Sequence, residues 1–157
     1  MPGTTRPQGW TGGDPDDFAA LTLVRVATVM RHVFVATLAP HRLAPQQFSV
    51  LMHLVERPGR SQADLAREVL ATRQSVGELL RGMEEQGLVE RTPPAGRGRS
   101  AAVYASSAGR ALLEQVTPDV LAAFAPDRLG LDSAATDRLN DDLHTVLSAL
   151  SERDPAQ

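Results

Sequence analysis

Apolar positions recur along most of this chain at the spacing of helix faces. Between Asp16 and about Ala39, Leu23, Val26, Met30 and Val33 fall at i, i+3, i+7 and i+10, which is one helical stripe. Phe18, Leu21, Val29, Phe34 and Leu38 widen that stripe beyond a single face. A helix apolar on most sides must be covered on most sides, and in so short a chain this points to a helix shared between two subunits. Asp14, Asp16 and Asp17 put negative charge near its positive end, and Pro40 ends it. A second helix starts near Pro45 and is predicted to turn Phe48, Leu51, Met52 and Val55 inward until Arg57-Pro58-Gly59 stops it. Ser61 then opens a short helix, SQADLAREV, with Asp64 as a capping-box acid. Thr72 caps a fourth, TRQSVGELLRGMEEQ, with Val76, Leu79, Leu80 and Met83 on one face and Gly87 at its C-terminal end. Gly77 and Gly82 lie inside it, and each costs roughly 1 kcal/mol against Ala.

The period then changes. Leu88 to Thr92 reads as a short strand, PPAGRGRS as a turn, and Ala101 to Ala105 as the return strand, giving a two-stranded hairpin with a basic tip. Ser106 caps a fifth helix bearing Leu112, Leu113, Val116, Val120, Leu121 and Phe124, and Pro118 within it is predicted to kink or split it. After a turn over residues 126 to 131, a last helix carries Leu139, Leu143, Val146, Leu147 and Leu150. The fold class is mainly α with a small β-hairpin wing (α+β). A winged helix-turn-helix over residues 45 to 105 is flanked by an N-terminal dimerisation helix (16 to 44) and C-terminal dimerisation helices (106 to 151). Residues 1 to 15, with Trp10, read as an arm and 152 to 157 as a tail. In such an arrangement the second helix of the helix-turn-helix enters the major groove of double-stranded DNA, and the hairpin tip reaches the minor groove.

Charge supports that picture only when it is resolved along the chain. The whole chain of 157 residues has net charge -3, which alone argues against a nucleic-acid partner. Residues 57 to 100, however, hold eight Arg against six acids, whereas residues 101 to 157 hold four Arg against nine acids. The basic segment is the one that contains the helix-turn-helix and the wing. All 16 basic residues are Arg, which reads first as codon bias towards GC and carries little functional weight.

Cysteine is absent, which removes disulfides, thiolate metal sites and thiol redox sensing. No uninterrupted run of eighteen apolar residues exists and the N-terminus lacks the apolar stretch of a secretory signal, so the expectation is no membrane and a cytoplasmic location. No GxSxG elbow, P-loop or GxGxxG after a strand is found, so neither an enzyme nor a cofactor is expected. The four His (His32, His41, His53, His144) have no metal-ligand spacing among themselves, and no metal site is assigned. A site of His and carboxylates assembled across subunits stays open.

The ordered set LAPQQFSVLMHLVERPGRSQADLAREVLATRQSVGELLRGMEEQGLVER resembles the MarR (multiple antibiotic resistance regulator) family of winged-helix repressors. SQADLA, QSVGELL and MEEQGLVER are its most telling pieces. A wing follows, and then ASSAGRALL stands where the family has a Leu-Thr-x-x-Gly helix start. The resemblance covers about residues 17 to 151. It implies a homodimer on a palindromic operator, released by a small, often aromatic, effector bound between the dimer module and the winged helix. His32 and His53 are the candidate effector contacts, with partly buried packing near the dimer seam as the competing reading. The family wing carries Asp-x-Arg; here the triplet is Arg97-Gly98-Arg99, so Arg99 takes the family Arg position and Arg97 replaces the orienting Asp.

The candidate DNA contacts are therefore Arg73, Gln74, Ser75 and Glu78 on the recognition helix and Arg97 and Arg99 on the wing, with Ser61 and Gln62 as phosphate contacts. Glu78 would repel phosphate but can accept from a cytosine amino group. Ser61 and Gln62 are explained equally well by capping and solvation. The alternative functions are a winged-helix protein-interaction module with weak or lost DNA binding, or a His/carboxylate metal-responsive regulator.

Overall fold

The computed structural model describes residues 13–93, 96 and 100–152. The expectations placed on the arm with Trp10, on Arg97 and Arg99, and on the tail beyond residue 152 lie outside the described residues. Among the described residues, six helices and a small sheet follow in the order α1 (Ala19–Leu38), α2 (Pro45–Glu56), β1 (Arg60–Ser61), α3 (Gln62–Glu68), α4 (Arg73–Glu85), β2 (Val89–Thr92), β3 (Ala102–Ala105), α5 (Ser107–Ala123) and α6 (Ser133–Ser151). Short 3-10 turns occupy Pro15–Asp17, Ala39–His41 and Pro126–Leu129. The fold is thus mostly helical with a winged helix-turn-helix at its centre.

Local chemistry sets the helix ends. Ser61 Oγ accepts from the Asp64 N–H at 3.1 Å while Asp64 Oδ2 accepts from the Ser61 N–H at 3.1 Å, completing the capping box of α3. Thr72 Oγ1 accepts from the Ser75 N–H at 3.1 Å, and Ser106 Oγ from the Gly109 N–H at 3.0 Å. Helix α4 closes with Gly87 left-handed at φ 71, the Gly87 N–H bonded to the Glu84 carbonyl and the Leu88 N–H to the Met83 carbonyl. Helix α3 closes the same way around Leu70 at φ 52, a conformation that disfavours a side chain.

Side chains of α2, α3, α4, the sheet and α5 form one core in which Leu51, Leu54, Leu65, Val76, Leu80, Met83, Val103 and Val116 are fully buried. Phe34 carries α1 into this core, with its ring centroid 4.3 Å from Phe124 and 6.2 Å from Phe48. Met52, expected inward, is instead half exposed, because Val50, Leu51 and Leu54 take up the core face of α2.

Three local expectations change. The sheet has three antiparallel strands in the order β1-β3-β2, with Arg60 opposite Val103 and Val89 opposite Ala105. The first helix starts at Ala19, after the 3-10 turn, rather than at Asp16. Helix α5 runs unbroken through Pro118. Proline removes the partner of the Glu114 carbonyl, but Glu114 and Pro118 are exposed to water, while Val116 and Val120 anchor the other face.

Helices α1 and α6 are covered least. In α1 only Leu38 is buried, and in α6 no residue is. Leu21, Val24, Val26, Val29 and Val35 on the first, and Leu139, Leu143, Val146, Leu147 and Leu150 on the second, all stand exposed. The segment Ala19–His41 contains an 18-residue window of mean hydropathy 1.5 and is long and apolar enough to cross a membrane by length and composition. No uninterrupted apolar run marks it in the sequence, because Arg25 and Arg31 divide the stretch without lowering its average far. Arg25 is held by Asp16 at 2.9 Å.

Candidate nucleic-acid interface

The recognition helix is two-faced because its sequence is. Val76, Leu80 and Met83 are wholly buried on the inner face of α4, while Arg73, Gln74, Ser75 and Glu78 are exposed on the other. The Thr72 cap fixes where the helix begins, so these four side chains leave the first two turns as a group. Gln74 Nε2 donates to Glu78 Oε1 at 3.4 Å, a weak link that leaves both amide and carboxylate able to face a base edge. The Ser75 hydroxyl accepts from Thr72 Oγ1 at 2.9 Å and keeps its own proton to donate.

The two candidate phosphate contacts are occupied differently. Ser61 Oγ donates to Asp64 Oδ2 at 2.7 Å within the capping box. These Ser61 bonds hold the Asp64 carboxyl below the usual carboxylate range, with the nearby guanidiniums of Arg67 and Arg60 adding to the effect. Gln62 is half buried, and its Nε2 donates to the Arg73 carbonyl at 2.8 Å.

Ion pairs tie the wing and the connecting turn to the helices. Arg91 on β2 lies 2.9 Å from Glu84 near the end of α4. Glu68, largely buried, accepts from Arg60 Nε at 2.9 Å, and Arg57 and His53 approach its carboxylate at 3.7 Å each. That Glu68 bond raises the Arg60 guanidinium above its usual value. Glu68 and Glu84 were not singled out in the sequence, where each is one acid on a polar helix face; only the pairing across elements distinguishes them.

The two candidate effector contacts do not meet within one chain. His32 is exposed and lines a hollow of about 490 Å³ along α1 with Thr28, Arg31, Val35, Ala36 and Ala39. His53 is half buried and lines a separate cleft of about 520 Å³, where Leu147, Ser148 and Ser151 of α6 face Arg67, Glu68 and Leu70. Among the described residues no three His, Asp or Glu come together as metal ligands.

Comparison with known proteins agrees with this geometry. The model of the MarR family matches residues 43–100, which span α2 to the wing. The HTH-type transcriptional repressor Rv2887 of Mycobacterium tuberculosis is 37% identical over 103 residues, covering 66% of this chain and 74% of the relative. The structure of the transcriptional repressor CouR bound to a 23-mer DNA duplex superposes with a TM-score of 0.71 at 28% identity, covering 88% of this chain and 96% of that one. The structure of Rv2887 in complex with salicylic acid superposes with a TM-score of 0.64 at 31% identity, covering 81% and 94%. At 37% identity over 74% of Rv2887, and superposing on CouR over 88% of its own length, the chain belongs to the MarR family of transcriptional regulators.

Proposed function

We propose that this protein is a homodimeric transcriptional repressor that binds a palindromic operator, with α4 in the major groove and the wing in the minor groove, and that a small organic ligand modulates it. The observation that carries the reading is the division of α4: three fully buried apolar residues on one face, and Arg73, Gln74, Ser75 and Glu78 exposed together on the other. Arg97 and Arg99 supply the wing contacts by their place in the sequence, and Ser61 contributes at most a phosphate contact beside its capping role. The apolar surfaces of α1 and α6 belong to the subunit interface, so the Ala19–His41 segment is covered by a second copy rather than by lipid.

A bound ligand in the relative Rv2887 supports a small-molecule effector here. His32 and His53 line different cavities of one chain, so in this reading a pocket containing both is completed by the partner subunit. The reading assigns no catalysis and places the protein in the cytoplasm with its DNA. Fluorescence anisotropy with the DNA upstream of its own gene tests it: saturable, salt-dependent binding supports a repressor, and no preference over scrambled DNA supports the interaction-module alternative.

A further inference from the structure

Gln62 stands at the junction of three elements. It is the first residue of α3, its amide nitrogen donates to the main-chain carbonyl of Arg73 at the start of α4, and its amide oxygen lies 3.4 Å from Arg91 Nη1 on β2. Arg91 in turn reaches back to Glu84 near the other end of α4. One side chain therefore holds the first turn of the recognition helix to α3 and to the wing strand.

As placed, this amide occupies the space that a side chain on residue 77 would enter. A Cβ built on Gly77 would lie 2.7 Å from Gln62 Nε2, 3.4 Å from Cδ and 3.6 Å from Oε1. Gly77 sits within α4, where it weakens the helix relative to Ala. Gly82 in the same helix has nothing within 4 Å of its would-be Cβ, so only Gly77 is matched to a neighbour.

We propose that Gln62 and Gly77 form a lock that sets the position of the recognition helix relative to the wing, making Gln62 a positioning residue for operator binding rather than a phosphate contact. This rests on the DNA-binding reading above. The lock explains why a helix-weakening glycine lies among the residues that face DNA. Any side chain there displaces the amide from the Arg73 carbonyl and lets α4 shift against β2. Rigid placement of the reading helix matters because contacts in the groove tolerate little displacement.

The test is a double-mutant cycle on the full-length dimer with Gln62→Ala, Gly77→Ala and the pair, read by operator affinity, salt slope and thermal melting. Each single change is expected to weaken operator binding by about tenfold, the loss of a net hydrogen bond in each of two subunits. The pair is expected to bind no more weakly than the weaker single, because both changes release the same lock. The salt slope should stay constant, since no charged phosphate contact is removed. In melting, Gly77→Ala should raise Tm by several degrees more in the Gln62→Ala background than in the wild type, where the new methyl collides with the amide. Losses in affinity that multiply in the pair, or equal Tm shifts in both backgrounds, overturn the lock while leaving the repressor reading intact. A wild-type protein that binds no operator overturns the repressor reading and the positioning role with it, and the melting cycle then still decides whether the two residues are coupled.

Discussion

Gly109 on α5 and the carbonyl of Leu88 approach so closely that no other residue fits at position 109. A Cβ built on Gly109 would lie 2.1 Å from the Leu88 oxygen and 3.0 Å from Leu51 Cδ2. The same carbonyl accepts from the Ser106 N–H at 3.0 Å, and Ser106 Oγ donates to the Gly87 carbonyl at 2.5 Å. The start of α5 is therefore pinned to the end of α4, which links the flanking helices to the recognition helix through a few backbone atoms.

Replacing Gly109 with Ala should lower stability by about 2–3 kcal/mol, because the obstruction is backbone and not a movable side-chain tip. Gly82→Ala, with open space around it, should raise stability by about 0.5–1 kcal/mol. Urea unfolding of the two variants checks both signs. Equal effects would mean that helix propensity alone decides these positions.

Asp64 sets an acid limit on α3. Its pKa lies below the ordinary carboxylate value because its ionised form is bonded by Ser61. The stability it contributes is complete above the unfolded value, near 4, and is lost as pH falls through the lowered folded value. Asp64→Asn should melt lower than the wild type at neutral pH, and the gap should close as the pH falls below about 4. Thermal melts from pH 7 down to the acid range follow this; a gap that is constant with pH would remove the linkage.

The exposed stripe of α6 should be a subunit interface. Leu143→Asp introduces a charge into each copy of that interface. Losing about 1.5–3 kcal/mol of burial per leucine in two copies should weaken dimerisation at least a hundredfold. Sedimentation at micromolar concentration should show dimer for the wild type and monomer for the variant. Two monomers in that experiment would contradict the assignment of α1 and α6.

On the DNA side, Arg99→Ala should weaken cognate and scrambled DNA together. It should lower the salt slope by about 2, at roughly 0.9 per contact in two subunits. Gln74→Ala should instead cost about 1–3 kcal/mol per half-site and relax preference at one base pair. A salt series on both sequences separates these outcomes. An unchanged slope for Arg99→Ala would take the wing out of the interface.

The helices, their caps and the two-faced recognition helix were legible in the residues alone, since each rests on interactions within a few positions of the chain. The Thr72 cap with Val76, Leu80 and Met83, the Ser61/Asp64 box and the Gly87 terminus are local signals, and the structure keeps them. So is the excess of apolar surface on α1 and α6, which the fold leaves exposed. What pairs distant segments was decided only in three dimensions. The strand Arg60–Ser61 is two residues long, too short for any alternation to show, and exists because β3 offers it an edge. Pro118 stays within α5 because burial of its neighbours Val116 and Val120 outweighs one lost hydrogen bond on the solvent side. His32 and His53 look alike in sequence, yet the fold leaves His32 in a hollow along α1 and sets His53 in a separate cleft that α6 residues also line. Gly77 and Gly109 appear in the chain only as breaks in helix propensity; the atoms a side chain there would meet, Gln62 Nε2 and the Leu88 carbonyl, come from other elements, and no spacing along the sequence encodes that approach.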